Sequence, residues 1–448
     1  MSRVALIGEN STGYVKALID IWNNGDCAVL LDWRIPFPTL IQMMSEADVH
    51  ICFIEKSLLD KIEHKIDSVN FISYEKENRS AELLPDGVYE KFRDNYSRNE
   101  AVVIYSSGTT GKSKGIILSH FAINTNADAI IDYMELCEND CIYIVKTISH
   151  SSTLTGELLV ALKTHTPVVI APTIVPPRYI FNNISKYGIS IICINPTLLR
   201  MYVDEYETNS DKYDLSSLKE IYVHGEKADK NLCLQAKNIF KKCSIYYGYG
   251  LSEAGPRVAT QKISSNTIDS VGKAIKDVQI VIINENGAAS SSYERGMIHV
   301  KTPSKFQGYI SGNSKCISLK DGFINTGDIG YWDDYNELHI VGRMDDILIV
   351  DAHKFYRSDI ENHIYKLSQV KECVVTVVKH RQKCLLCCLY CSDIEMPSDI
   401  KKKLSSVLMK YEIPKIFIKS KELPRNKNGK IAMELVNDII HQYLKNLI

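Results

Sequence analysis

Val102 to Ser119 reads VVIYSSGTTGKSKGIILS, and the reading of this stretch decides the fold. The β-branched run Val102-Val103-Ile104 has the composition of a buried strand. From Ser106 to Gly115 the chain then uses only Ser, Thr, Gly and Lys. A strand therefore feeds a loop suited to a phosphate. Small residues let backbone N–H groups approach an anion closely, the hydroxyls of Ser106, Ser107, Thr109 and Thr110 add donors, and Lys112 and Lys114 add charge. A flexible surface turn is the competing reading, but turns rarely combine so many hydroxyls, glycines and lysines directly after a core strand. A Walker A loop is the other rival, because Gly111-Lys112-Ser113 matches its last three positions. That pattern needs a glycine five residues before Gly111, where this chain has Ser106.

Outward from this loop the chain reads as alternating strands and helices. A strand at 4–7, a helix marked by Val15, Leu18, Ile19 and Trp22 and closed by Gly25, and a strand at 27–31 make a βαβ unit. No G-x-G-x-x-G follows the first strand, which argues against a dinucleotide fold. A further strand is expected at 50–54, and the charged run 75–79 reads as a solvated loop. Beyond the phosphate loop come a helix at 121–133, strands at 142–148, 168–171, 189–194 and 220–223, and a helix at 198–206. This alternation predicts a parallel, doubly wound sheet. The last hundred residues read as a helix at 357–367, strands at 370–378 and 384–390, a helix at 398–411 and a strand at 416–418.

Composition narrows the function. The 448 residues are enough for two or three domains, and 53 Lys+Arg against 54 Asp+Glu leave a net charge of −1, which points to neither nucleic acid nor an anionic membrane. No apolar run approaches a membrane span, and the opening MSRVALIG has no apolar signal core. The 13 scattered cysteines then read as free thiols in a reducing cytoplasm. Cys384, Cys387, Cys388 and Cys391 mimic a zinc knuckle, but Leu385, Leu386, Leu389 and Tyr390 fill the intervals where turn residues belong. A strand interior is expected instead.

The loop at Ser106 to Gly115 resembles the SSGTTGxPKG signature of the adenylate-forming enzymes: acyl- and aryl-CoA ligases, peptide-synthetase adenylation domains and luciferases. It departs only at Ser113, where proline is usual. Further motifs follow in family order. Residues 246–255, YYGYGLSEAG, resemble the G-x-aromatic-G-x-Ser/Thr-Glu motif. There Tyr249 offers a flat face to adenine beside Gly250, Ser252 a hydroxyl to the α-phosphate, and Glu253 a hard oxygen ligand to Mg2+, with Thr109 as a second Mg2+ contact. The turn His224-Gly225-Glu226-Lys227 is similar to the adenine-side turn. Asn325-Thr326-Gly327-Asp328 gives Asp328 the ribose diol, and Arg343 reaches the ribose or phosphate. Asp345 matches the family hinge, although an exposed turn aspartate reads identically. Residues 423–430, LPRNKNGK, resemble the closing motif whose lysine, here Lys430, bridges carboxylate and phosphate. His150, at the end of its strand, corresponds to a residue that gates the carboxylate pocket; a structural hydrogen-bonding histidine is the alternative.

The resemblance implies an α/β fold with a large N-terminal doubly wound domain, shortened at its start, and a small α+β C-terminal domain on a hinge. The expected domains are 1–343, holding ATP and the carboxylate, and 344–448, mobile and carrying the catalytic lysine. The implied activity is attack of a small-molecule carboxylate, aryl or acyl, on Mg-ATP to give acyl-AMP and pyrophosphate, then transfer to coenzyme A. Asp351 and Ala352 stand where thioester-forming members have glycine, and Leu348 replaces the usual lysine. A carrier-protein phosphopantetheine arm is therefore the alternative acceptor. A non-catalytic nucleotide-binding scaffold and a P-loop ATPase are the competing classes, and the chain is expected to be a monomer or homodimer.

Overall fold

The strand Glu100–Ser106 lies inside a seven-stranded sheet because residues 102–104 are apolar on both faces and nothing exposed breaks the run. This is seen in a computed structural model that describes residues 1–61, 68–76, 80–106, 114–173, 175–225, 230–264, 270–310, 321–350, 353–367, 370–380, 383–392, 399–425 and 431–446. The sheet runs Gly308–Tyr309, Lys114–Ser119, Glu100–Ser106, Cys27–Leu31, Arg3–Ile7, Ile51–Glu55, Asn70–Tyr74. From Glu100–Ser106 to Asn70–Tyr74 all neighbours are parallel; Lys114–Ser119 and Gly308–Tyr309 turn back antiparallel. The helix Thr12–Asn23, capped by the Ser11 hydroxyl accepting from the Tyr14 amide, makes the first crossover. Helix Phe37–Glu46 lays Leu40, Met43 and Met44 on a core of Ala5, Ile7, Val29, Leu31 and Val103.

A second, eight-stranded sheet follows the order Lys273–Ala274, Arg257–Lys262, Ser244–Gly250, Glu220–Val223, Ile191–Ile194, Ile142–Ile144, Val168–Ile170, Glu82–Leu83. Its middle five strands are parallel. The α/β body expected from the sequence is thus two sheets with parallel centres, the first antiparallel at one edge and the second at both. The strand expected over 142–148 stops at Ile144, because the chain turns at Thr147 to His150, where the His150 amide bonds the Thr147 carbonyl at 3.1 Å. A four-stranded sheet is ordered Gln279–Ile283, Gly296–Lys301, Ile324–Trp332, Leu338–Arg343. The chain divides into two compact units, one of residues 1–294, 298–326 and 332–339, the other of 295–297, 327–331 and 340–448.

In the second unit, Glu372–His380 and Lys383–Cys391 pair antiparallel, and Ile416–Ser420 joins Lys383–Cys391 in parallel. The cysteine cluster lies inside Lys383–Cys391, as expected. Cys388 enters a core with Ile360, Ile364 and Leu386, whereas Cys387 and Cys391 enter another with Leu389, Val436 and Ile440. Period-two alternation sends the thiols to opposite faces, so they cannot converge on one ion. Among the described residues no group of three or more metal-ligating side chains gathers anywhere. Leu348, at the usual lysine's position, is 7% exposed and packs with Val350 and Phe355. The helix expected over 398–411 shrinks to Ile400–Leu404 and a 3-10 turn, Lys410–Glu412. Between them the Ser405 and Ser406 hydroxyls donate to the carbonyls of Lys402 and Lys403 and compete with the helical ladder. No helix among the described residues is long and apolar enough to cross a membrane.

Two outcomes are expected for the second unit. Leu389→Ala, at a fully buried position, should lower the unfolding free energy by about 2–5 kcal/mol in urea titrations. Dialysis against a chelator should leave the thermal midpoint unmoved, and a fall would restore a metal to the cysteines.

Candidate active site

The phosphate-loop hairpin is anchored where Ser106 pairs with Lys114. Residues 107–113 between them, and so Ser107, Gly108, Thr109 and Thr110, lie outside the described residues, as do Glu226, Lys430, Asp351, Ala352 and the side chains of Ser106 and Asp345. Lys114 is described: its Nζ lies 5.5 Å from the ring centroid of Tyr309, on the strand that adds to Lys114–Ser119. The Tyr309 hydroxyl donates to Glu253 Oε1 at 2.8 Å. The Glu253 carbonyl accepts from the Phe306 amide at 3.0 Å, which fixes this turn from its backbone as well. Two motif residues separated by 139 positions in sequence, Lys114 and Glu253, are therefore joined through Tyr309. Sequence reasoning missed Tyr309, because a two-residue strand carries no periodicity.

Ser252 sits at the head of the 3-10 turn Ser252–Ala254, and its hydroxyl is 2.8 Å from that of Ser151. Ser151 opens a short helix for which His150 is the N-cap residue. His150 is half-buried, not at the strand end expected from the sequence but six residues beyond Ile142–Ile144, after the turn at the C-terminal side of the sheet, the side where open α/β sheets bind ligands. Nearby, Asp32 accepts from Arg34 through both oxygens, Nη2 to Oδ2 at 2.5 Å and Nε to Oδ1 at 2.8 Å, and Arg34 reaches Thr147 Oγ1 at 3.2 Å. Burial pushes the Asp32 carboxyl up, but the Arg34 guanidinium, with a further pull from His150, outweighs it and holds the group below its ordinary value.

Tyr249 and Gly250 occupy an irregularity in the pairing of Ser244–Gly250 with Arg257–Lys262. A Cβ on Gly250 would collide with the carbonyl oxygen of Pro256, whose partner is the Leu251 amide. Gly225 is exposed with φ +101°, in the left-handed region that glycine tolerates. In the second unit Asp328, 7% exposed, accepts from Arg343 Nη1 at 3.0 Å. Gly327 lies with φ +74° against this guanidinium, a Cβ there falling 2.9 Å from Arg343 Nη2. Beyond it Arg357 donates to Asp346 at 2.8 Å, next to Asp345.

These residue types fit a nucleotide and its cation. Glu253 supplies a half-buried carboxylate of the hard-oxygen class that magnesium prefers, with one oxygen oriented by Tyr309, and Lys114 supplies the compact positive charge that phosphate needs. A family model described as AMP-binding enzyme matches residues 1–310. Among curated relatives, an indoleacetate–CoA ligase from Aromatoleum aromaticum is 25% identical over 98% of this chain and 88% of its own length. A 2-succinylbenzoate–CoA ligase from Bacillus cytotoxicus is 25% identical over 98% and 89%. Among solved structures, ATP-bound MatB from Rhodopseudomonas palustris superposes with TM-score 0.83 at 20% identity, covering 98% of this chain and 88% of that one. The o-succinylbenzoate CoA synthetase from Bacillus subtilis, in complex with its acyl-adenylate intermediate, gives 0.79 at 20% identity over 97% and 87%.

Two measurements test this geometry. Tyr309→Phe removes one hydrogen bond to a charged acceptor, worth about 1.5–3 kcal/mol, and should lower ATP–pyrophosphate exchange roughly ten- to hundredfold while raising the magnesium requirement. For Asp32, the depressed carboxyl stabilises the fold fully above its unfolded value near about 3.9, and that contribution is lost as pH falls through the lower folded value. The stability gap between wild type and Asp32→Asn should therefore stay constant above about pH 5 and close on further acidification, read by urea unfolding across the acid range.

Proposed function

Because this chain belongs to the AMP-binding enzyme family, we propose that it activates a carboxylic acid with ATP, releasing pyrophosphate, and passes the acyl group from acyl-AMP to coenzyme A. The observation that carries the reading is the joining of Lys114, Tyr309 and Glu253 at the mouth of the phosphate hairpin. One tyrosine there orients a carboxylate with its hydroxyl and meets a cation with its ring, which a scaffold that merely keeps the fold has no reason to retain. The likeness to CoA ligases of aromatic and aryl-containing acids, over nearly the whole chain, supports an acid as substrate and a CoA thiol as acceptor.

The chemistry needs positioning and charge rather than an enzyme nucleophile. Lys114 and the hydroxyls of Ser106, Ser107, Thr109 and Thr110 hold the phosphates, with Gly108 leaving room for the backbone to approach them. Ser252 reaches the α-phosphate, steadied by Ser151. Glu253 holds the magnesium ion with Thr109, and that ion, when bound, neutralises phosphate charge. Gly225, Glu226, Tyr249 and Gly250 line the adenine side, Asp328 and Arg343 take the ribose, and His150 stands at the carboxylate. Lys430 binds the attacking carboxylate oxygen and the α-phosphate together and offsets charge as pyrophosphate departs. Residues 344–448 form the mobile domain, turning about Asp345 between the two half-reactions, with 1–343 as its base. The burial of Leu348 and the presence of Asp351 and Ala352 at glycine positions favour, as a second reading, a pantetheine arm presented by a carrier protein.

The deciding experiment supplies Mg-ATP and a panel of aryl and aliphatic acids without thiol, with CoA, and with a pantetheinylated carrier protein. AMP and an acyl-CoA are expected with one acid class; ADP as product would point to the P-loop ATPase instead. Lys430→Ala should cut acid-dependent AMP formation by about 10²–10³-fold while thioester formation from supplied acyl-AMP persists. Full acid-dependent activity in that variant removes the proposed first step.

A further inference from the structure

Beneath the candidate site, at the C-terminal edge of the parallel strands of the eight-stranded sheet, four ionisable side chains are withdrawn from water. Glu157 is 0% exposed, Arg257 3% and His224 4%, and Lys146, with a side chain 13% exposed, pairs with Glu157 at 2.9 Å. They come from three separate strand ends: Lys146 follows Ile142–Ile144, His224 follows Glu220–Val223, and Arg257 begins the strand that returns beside Ser244–Gly250. Glu157 projects from Leu154–Leu159, a π-helical segment, an arrangement that recurs at functional sites.

Charge does not balance in this cluster. Two cations, Lys146 and Arg257, face one carboxylate, so a positive excess is buried whichever protonation state Glu157 adopts. His224 cannot correct it: burial, with Arg257 and Lys146 adding to it, holds the imidazole neutral by pushing its pKa far down. The next carboxylate, Glu220, stands at the other end of its strand and is taken by the hydroxyls of Tyr222 at 2.7 Å and Tyr246 at 3.4 Å. Polar capacity is also unspent. Arg257 Nε, both ring nitrogens of His224 and, apart from the ion pair with Lys146, both Glu157 carboxylate oxygens are buried without a hydrogen-bond partner among the described residues.

The surroundings hold these groups in place. Asn126, fully buried, clamps the Arg257 backbone by accepting from its amide at 2.9 Å and donating to its carbonyl at 3.0 Å. Gly156 lets the guanidinium lie where a Cβ would stand 3.1 Å from Nη2, and Gly248 does the same for His224, 2.8 Å from Nδ1. Each of the three segments also carries a residue of the candidate site: Lys146 precedes His150 by four positions, His224 precedes Gly225 by one, and Arg257 follows Ser252 by five. Even fully extended, five residues span no more than about 18 Å, which bounds the distance from each cluster residue to the candidate-site residue on its own segment.

We infer that this buried cationic cluster receives a second anionic group on the acid substrate, so that the enzyme selects carboxylic acids carrying a further carboxylate at the far end of the acyl chain or ring. The inference rests on the acid-activating reading above. An anion placed between Arg257, Lys146 and His224 supplies the missing charge and the missing acceptor together, whereas an alkyl end would leave both unmet.

The test compares AMP release with Mg-ATP for matched pairs of acids, C4 to C8 dicarboxylates and carboxyl-bearing aryl acids, each against its monomethyl ester. Wild type should favour the di-acid in kcat/KM by about a hundredfold or more. Arg257→Gln should bring the two members of a pair within a few-fold of one another. Because that buried site is sensitive to folding, Lys146→Gln, which leaves Arg257 alone facing Glu157 and so removes the excess charge, provides the second variant and should reduce the preference in the same direction. A wild type that prefers the ester, or variants that slow both members equally, would assign the cluster a purely structural role and overturn the inference while leaving acid activation intact. No AMP with any acid would overturn the acid-activating reading, and this inference with it.

Discussion

The pairing of Glu100–Ser106 with two neighbours of opposite direction is the constraint from which the rest of the site follows. On one side Val102, Val103 and Ile104 run parallel to Ala28, Val29 and Leu30; on the other they run antiparallel to Leu118, Ile117 and Ile116. The strand is buried on both faces, so its register is fixed by packing as well as by hydrogen bonds, and a slip of one residue would exchange its two apolar faces. Fixing that register fixes Ser106 opposite Lys114, and hence both ends of the phosphate loop. Distant groups sharpen the placement: Arg3 grips Glu100 through two hydrogen bonds of 2.8 Å, and the Tyr105 hydroxyl donates to the Met43 carbonyl at 3.0 Å. The rigidity with which Ser106 and Lys114 are held is thus drawn from the sheet.

The same economy appears around Glu253. Its segment, Ser252–Ala254, is a single 3-10 turn with no core of its own, yet it is tied at three points: Ser252 to Ser151, the Glu253 carboxylate to Tyr309, and the Glu253 carbonyl to Phe306. The tie through Tyr309 connects this turn to the seven-stranded sheet, while the strand leading into the turn belongs to the eight-stranded one. A carboxylate proposed to hold a cation must be both oriented and hydrated enough to exchange ligands. One oriented oxygen on a half-buried side chain meets both needs.

How much of this was legible beforehand depended on whether the information was local. The strand at 102–104 and the strand status of the cysteine cluster were both readable, because each rests on residue types at short spacing. The cysteines show it well: the unbroken apolar run from Cys384 to Cys391 in KCLLCCLYC is the pattern of a strand buried on two faces, and the structure splits Cys388 from Cys387 and Cys391 onto separate cores. The division into two sheets was not readable, since Val168–Ile170 and Cys27–Leu31 are equally apolar and nothing in either says which neighbours it will pair with. The over-long helix at 398–411 came from counting apolar spacing through Ser405 and Ser406, whose hydroxyls bond backbone carbonyls. Tyr309, Ser151 and the Arg34–Asp32 pair were invisible for a related reason, in that each acquires meaning only from a partner or setting that tertiary folding supplies.

The buried ions at Lys146, Glu157 and Arg257 mark the limit of sequence reading most sharply. In sequence, Glu157 is a lone charge inside LTGELLVAL, a pattern that suggests a helix with one polar edge turned to water. The structure turns that edge inward, and removing a carboxylate from water is costly unless a cation meets it. Lys146 does so, but its arrival, with Arg257 behind it, overshoots neutrality. Evolutionary replacement of such a trio by packed apolar side chains would commonly be neutral or stabilising, so stability alone gives no reason for a charge excess to persist. An arrangement whose members are held by Asn126, spared by Gly156 and Gly248, and left with unmet donors is ordered for something other than the fold's own benefit.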